Sequence, residues 1–225
     1  MTVEVWSDVV CPWCYIGKRR FASGLTAARE QLAIEGVEVD IEVSYHPYQL
    51  DPTASPGVSG PVVEAYAKKF GGTDRAEAII ANVSAIAAEV GLEFHMDRAL
   101  RANTLLAHRV IWLAAQSDSP VAQDVVKERL LKAYFADGLD IGDPEVLADC
   151  AAEVGFERDA IASFLDSDRG TSEVGDELRF AHDNGITAVP TYVINQQWAV
   201  PGAQEPETFA QVLVKMAQRA VAEHA

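Results

Sequence analysis

Ser7-Asp8-Val9-Val10-Cys11-Pro12-Trp13-Cys14-Tyr15-Ile16-Gly17 is the stretch on which the reading of this chain turns. Upstream of it, Val3 and Val5 alternate with Glu4 and Trp6, the period of a strand over residues 2–7. Downstream, Phe21, Leu25, Ala28 and Leu32 recur at helical spacing, and the helix is expected to end near Gly36. The two cysteines therefore stand where a strand hands over to a helix, Cys11 before the first turn and Cys14 one turn in. A Cys-x-x-Cys pair at such a junction, next to a βαβ pattern, reads as a redox-active dithiol. The competing chemistry is half of a structural zinc site. Zinc needs two further ligands at compatible spacing, and Cys150 with five scattered histidines supplies no second pair.

Working outward, Val39, Ile41 and Val43 alternate with Asp40, Glu42 and Ser44 and predict a second strand. Strand, long helix, strand implies a parallel pair joined by a right-handed crossover. Residues 51–61 hold three prolines and two glycines and read as a loop. Beyond them the pattern is almost purely helical, with one face marked by Ile79, Ile80, Val83, Ile86, Ala87 and Val90 and another by Leu105, Leu106, Val110 and Leu113. Ser119-Pro120 predicts a capped helix over 121–135, and Asp143-Pro144 one over 145–154. Further helices are expected over 158–165 and 171–184. Strand character returns at 191–194, Asn195-Gln196 suits a hairpin turn into 198–200, and Glu205-Pro206 opens a last amphipathic helix. The order is βαβ, a helical block, then ββα. It predicts an α/β domain built from residues 1–50 and 185–225, interrupted by an all-helical insertion over 51–184.

Composition narrows the partners. The chain has 225 residues and a net charge of −16, which leaves nothing to neutralise phosphates and argues against nucleic acid. No basic segment leads into an apolar run at the start, and no stretch of about 18 apolar residues suggests a membrane span. The expected location is the cytoplasm. Three cysteines are too few for a disulfide scaffold. Cys150 shares a helix face with Leu147, Ala151 and Val154 and reads as core.

The chemistry assigns roles to the pair. Exchange needs a thiolate that attacks and a second thiol that resolves the mixed disulfide. Unsatisfied N–H groups at a helix N-terminus favour the anion. Cys11 is therefore expected to be the exposed nucleophile and Cys14 the resolving thiol. Pro12 suits the first turn, where a missing N–H costs nothing.

With these residues in view, the chain resembles the DsbA-like oxidoreductases, most closely the FrnE subgroup, over nearly its whole length. The likeness is carried by residues 7–17, by Asn103-Thr104 with Ala107-His108, and by Tyr134-Phe135 with Gly138 and Ile141. Gly185-Ile186-Thr187-Ala188-Val189-Pro190-Thr191 completes it. The resemblance implies a thioredoxin fold, a four-stranded mixed sheet with a large all-helical insertion, and an enzyme of thiol–disulfide exchange on protein or small-thiol substrates. It implies that Pro190 is a cis-proline facing the dithiol, with Val189 offering its backbone to an extended substrate. Pro12, Trp13, Val189, Pro190, Asn103 and His108 are the implied substrate-binding residues. No metal and no prosthetic cofactor are implied, the Cys11–Cys14 disulfide carrying the electrons. Glutathione or another low-molecular-weight thiol is the candidate redox partner, and monomer and homodimer are both compatible.

Two departures qualify the likeness. Strong oxidants of this type commonly place His where Trp13 stands, and an indole cannot stabilise a thiolate as an imidazolium does. Many thioredoxin-fold proteins carry a buried acid six residues before the nucleophile, where this chain has Val5. A milder dithiol is expected. Asp8 is a candidate helix cap or proton-transfer group, and His46 reads as structural. The alternative function is a glutathione-dependent isomerase or transferase, as in kappa-class transferases and 2-hydroxychromene-2-carboxylate isomerase. Those resemble the chain in layout but generally have Ser at the nucleophile position and lack the second thiol.

Overall fold

A computed structural model of the chain describes residues 1–223. Its centre is β1 (Thr2–Ser7), with Val3 and Val5 buried and Glu4 partly open. β1 pairs in parallel with β2 (Glu42–Pro47) on one side, Val5 opposite Tyr45. On the other side it pairs antiparallel with β5 (Thr191–Ile194), Val5 opposite Tyr192. β6 (Trp198–Pro201) adds antiparallel to β5, so the mixed sheet runs β2-β1-β5-β6. Asn195 and Gln196 have φ of 49° and 57°, the two positive values a tight two-residue hairpin turn demands.

α1 (Pro12–Ile34) makes the crossover from β1 to β2, and α9 (Pro206–Glu223) packs along it. Phe21 stacks on Tyr192 at 4.9 Å and meets Phe209 edge-on at 5.3 Å, which ties α1, β5 and α9 into one aromatic cluster. The second strand begins later than its alternation suggests. The ladder to its parallel partner starts with Thr2 opposite Glu42, and before it Met1 makes only single bonds, its nitrogen donating to Asp40 O at 2.8 Å and its carbonyl accepting from Glu42 N at 3.0 Å. Ile41 is buried all the same, and its carbonyl accepts from Arg29 at 3.1 Å.

Between β2 and β5 lie α2 (Val62–Phe70), α3 (Thr73–Glu89), α4 (Leu105–Ala114), α5 (Gln123–Lys132), α6 (Pro144–Glu153), α7 (Arg158–Asp166) and α8 (Thr171–Asp183). The segment is not all-helical. β3 (Gly60–Pro61) and β4 (Leu100–Arg101) form a short antiparallel ribbon. Each strand is two residues long, and one of the four positions is a proline without an N–H, too little for alternation to announce. α5 also departs from the expected boundaries. Ser119 does not cap it; its hydroxyl folds back on the Val121 backbone, donating to the carbonyl at 2.8 Å. The helix begins at Gln123 because the Gln123 amide serves another end, pairing with the N–H and C=O of Tyr45 at 2.8 and 2.7 Å. A side chain thus satisfies the otherwise open edge of β2. α5 then loosens into one π-helical turn over Ala133–Asp137, with Tyr134 and Phe135 buried. Asp143 caps α6 as its sequence suggests, accepting from Glu145 N at 2.9 Å.

Among the described residues no helix is long and apolar enough to cross a membrane.

Gly24 sets how close α1 and α9 come. A Cβ there would lie 2.6 Å from both the Phe209 Cβ and the Pro206 carbonyl oxygen. Two effects compete in Gly24→Ala: about 1 kcal/mol gained in helix propensity, against about 1–3 kcal/mol of overpacking. The clash is with backbone, so the second wins. Urea denaturation is expected to show Gly24→Ala less stable than the parent, and a higher midpoint would contradict this packing.

Candidate active site

Cys11 is the N-cap of α1, with extended backbone (φ −88°, ψ 113°) and no side chain capping the helix. Its carbonyl accepts from Cys14 N at 3.0 Å, and its own N–H donates to Asp8 O at 3.4 Å. Both cysteines are free thiols, and the two side chains hydrogen-bond each other. The exposure expected for Cys11 is not seen: it is 3% accessible, the same as Cys14. The cover comes from a distant part of the chain. Cys11 Sγ donates to the Val189 carbonyl at 3.6 Å, immediately before the cis Val189–Pro190 bond. Tyr66 of α2 lies near enough that Cys11 adds to burial in pushing its phenol up to about 12. Trp13, 40% accessible, is the open member of the motif.

Gly17, one turn beyond Cys14, lets this loop approach. A Cβ there would lie 2.8 Å from the Tyr192 hydroxyl and 3.0 Å from Pro190 Cγ. Tyr192 is buried, and its hydroxyl has no hydrogen-bond partner among the described residues. Burial, with the two sulfurs adding, pushes its phenol well up.

The floor of the site is charged. Asp8 is fully buried and does not cap α1. Its carboxylate accepts from Val9 N and Leu50 N, each at 2.8 Å, and from His108 Nε2 at 3.2 Å. Its backbone N–H is directed at the Cys14 sulfur. His108, 2% accessible, also donates from Nε2 to the Tyr48 carbonyl at 3.0 Å. Lys127 of α5, also 2% accessible, faces the same interior. Burial lowers its ammonium to about 8, against the opposing pull of Cys14, Asp8 and Cys11. Burial likewise holds the Cys14 thiol well above its ordinary value; Cys11 adds to that, and Lys127 opposes it.

α5 is locked to α1 beside this floor. Tyr15 Oη donates to Glu128 at 2.7 Å, Lys18 Nζ lies 3.0 Å from both Asp124 and Glu128, and Arg19 also pairs with Glu128. Asp124 in turn accepts from the Tyr45 hydroxyl at 2.5 Å.

Of the residues proposed from sequence, Pro12, Trp13, Val189 and Pro190 gather around the dithiol, and His108 lies beneath it through Asp8. Asn103 turns elsewhere: it accepts from Leu105 N at 2.9 Å at the start of α4 and donates to Ala54 O at 2.7 Å. Cys150 is core, 1% accessible, and burial raises its thiol to about 11. His46 stacks on Trp6 at 4.7 Å and pairs with Glu177. Sequence reasoning missed Lys127, Tyr66 and Tyr192. Lys127 left one trace: it falls within the buried stripe of Val126, Leu130 and Leu131, where an amphipathic helix carries apolar residues. Among the described residues no group of three or more His, Cys, Asp and Glu is placed to hold a metal ion.

Comparison with known proteins agrees with this geometry. The chain is 27% identical over 213 residues to the uncharacterized protein YwbO of Bacillus subtilis (strain 168), covering 94% of each chain. A probable DsbA oxidoreductase from Streptomyces coelicolor superposes with a TM-score of 0.85 at 30% identity, over 97% of this chain and 90% of that one. A cytosolic disulfide reductase, DsbM from Pseudomonas aeruginosa with GSH, superposes with a TM-score of 0.65 at 17% identity, over 97% of this chain and 100% of that one. The model of the DSBA-like thioredoxin domain matches residues 2–214. The strand–helix dithiol, the loop that meets it and the match along the chain lead to one conclusion: this protein belongs to the DSBA-like thioredoxin domain family.

Proposed function

We propose that the chain catalyses thiol–disulfide exchange through Cys11 and Cys14, on protein or small-thiol substrates. The observation that carries this reading is the position of Cys11, at the N-terminus of a 23-residue helix with its sulfur 3.6 Å from the Val189 carbonyl. Helix N-termini, with their free N–H groups, attract negative charge. In the reducing direction the Cys11 thiolate attacks one sulfur of a substrate disulfide. The substrate S–S bond breaks, one thiolate leaves and takes up a proton, and the other half remains joined to Cys11. Cys14 loses its proton and attacks Cys11 Sγ, releasing the second substrate thiol and leaving a Cys11–Cys14 disulfide. Two electrons have passed to the substrate. Two equivalents of a small thiol restore the dithiol, and the reverse sequence oxidises a substrate.

Residues 1–50 and 185–225, the last two of which lie outside the described residues, form the catalytic unit in this reading, and residues 51–184 the insertion beside it. Trp13 offers an apolar lip, and the Val189 backbone offers an edge for an extended segment. Pro12 and Pro190 shape that edge, while His108 lies beneath the dithiol through Asp8. Glutathione is a fitting small thiol, since a neighbour of the same fold is a reductase with GSH. The FrnE-like motifs and a reducing cytoplasmic setting accord with this reading. The isomerase or transferase alternative does without a resolving thiol, so the pairing of Cys14 with Cys11 weighs against it.

Cys11→Ala is expected to abolish insulin reduction and the oxidation of reduced peptides, whereas Cys14→Ala accumulates mixed disulfides visible by intact mass. Full activity in Cys11→Ala would overturn the assignment. Trp13→His should make the pair more oxidising in equilibrium with glutathione, by about 30 mV for each tenfold change in the exchange constant.

A further inference from the structure

We propose that Lys127 is the group that takes the proton from Cys14 when Cys14 resolves the mixed disulfide. This rests on the exchange reading above and names the base that the reading requires.

The placement follows from the register of two helices. On α5, Asp124, Lys127, Glu128 and Leu131 lie at i, i+3, i+4 and i+7, one stripe. On α1, Tyr15, Lys18 and Arg19 form the opposing stripe. Lys18 meets both Asp124 and Glu128, and Tyr15 meets Glu128. Moving toward the start of α1 therefore moves toward the end of α5. Lys127 stands between Asp124 and Glu128, both of which Lys18 meets, and Cys14 lies one turn before Lys18; the two groups are near enough that each acts on the charge of the other. Lys127 and Cys14 are 2% and 3% accessible, so both face protein. Among the described residues the Lys127 nitrogen forms no hydrogen bond or ion pair, and its tip keeps a trace of open surface. A lysine buried without a fixed partner, beside a thiol that must lose a proton, has the makings of a general base.

The other polar groups of the floor are committed. Both carboxylate oxygens of Asp8 accept from backbone N–H groups, and one also accepts from His108. His108 Nε2 has acceptors on both sides and must carry its hydrogen. The titratable groups around Lys127 are Cys11, Cys14 and Lys18 from α1 and Asp8 from the strand–helix turn. His108 of α4 is joined through Asp8, Tyr45 of β2 through Asp124, and Tyr134 follows on the same helix.

The step balances. The neutral Lys127 amine takes the Cys14 S–H proton and becomes ammonium. The Cys14 thiolate attacks Cys11 Sγ, the Cys11–substrate S–S bond breaks, and the substrate leaves as thiolate. On the way back, when an incoming thiolate opens the Cys11–Cys14 disulfide, the ammonium returns its proton to Cys14.

The test uses the full chain loaded with glutathione at Cys11, following glutathione release from neutral to alkaline pH. In the parent the rate is expected to rise through about 8, where burial places the Lys127 ammonium, and then level off. Lys127→Met should slow release about 100-fold at neutral pH and move the bend upward to the titration of Cys14 itself. Lys127→Arg, which keeps the charge but cannot shed it, should be as slow as Lys127→Met. A parent-like rate in Lys127→Met, or full recovery in Lys127→Arg, overturns the proposal. A measurement needing no variant stands beside these: the ε-carbon of Lys127 should titrate by NMR near about 8 in the reduced protein. A midpoint in the ordinary lysine range would overturn the proposal whatever the variants do. Failure here is separable from failure of exchange itself. An inactive Cys11→Ala with a parent-like Lys127→Met removes only this inference, and an active Cys11→Ala removes the exchange reading first.

Discussion

A charged floor in a dry interior is the constraint on which the rest of this structure depends. Lys127, Asp8 and His108 are each no more than 2% accessible and lie under two buried thiols. Removing an ion from water costs several kcal/mol even after relaxation. Asp8 offsets that with three donors aimed at its oxygens. Lys127 has no comparable compensation, and the consequence is the lowered affinity of its amine for a proton. The same dryness that makes Lys127 a weaker acid-holder than an exposed lysine makes Cys14 a more reluctant thiolate. Each is perturbed by burial toward its neutral form, and each acts on the charge of the other.

Holding that floor requires α5 to stay in register with α1. The bridges at Glu128 do this from a sheltered position: Lys18 is 8% and Glu128 27% accessible. Pairs such as Arg158 with Glu145 and Asp149, in the open, contribute little by comparison. Gln123 fixes the other end of α5 by pairing with the Tyr45 backbone on the edge of β2. Gly17 and Gly24 do the corresponding work along α1, one admitting the Pro190 loop and the other α9. The sheet, the crossover helix and the helical segment are thus set against one another by a few contacts that also frame the dithiol.

Much of this was legible along the chain, and the parts that were not share a cause. The strand over residues 2–7, the helix to Gly36, the Asp143 cap and the Asn195-Gln196 turn depend on neighbours within a few residues, and pattern reports such neighbours well. The start of β2 depends on where its partner begins. The start of α5 depends on Tyr45, far back in the sequence. The β3–β4 ribbon pairs two dipeptides separated by a helical hairpin. The cover of Cys11 depends on Val189, which no local rule brings to it.

The sequence by itself determined the dithiol, its place at a strand–helix junction and the order of elements, because spacing and turn chemistry are local properties of a chain. It also placed a lysine in the apolar stripe of α5, but an exposed stem over a hydrophobic edge writes the same pattern. Only the tertiary structure decided that Lys127 points inward and that Asp8 is occupied by donors from residues 9, 50 and 108. It alone decided that both thiols are covered. The reason is physical: burial is a sum over groups from distant segments, and it is burial, not residue type, that moves Lys127 and Cys14 toward their neutral forms.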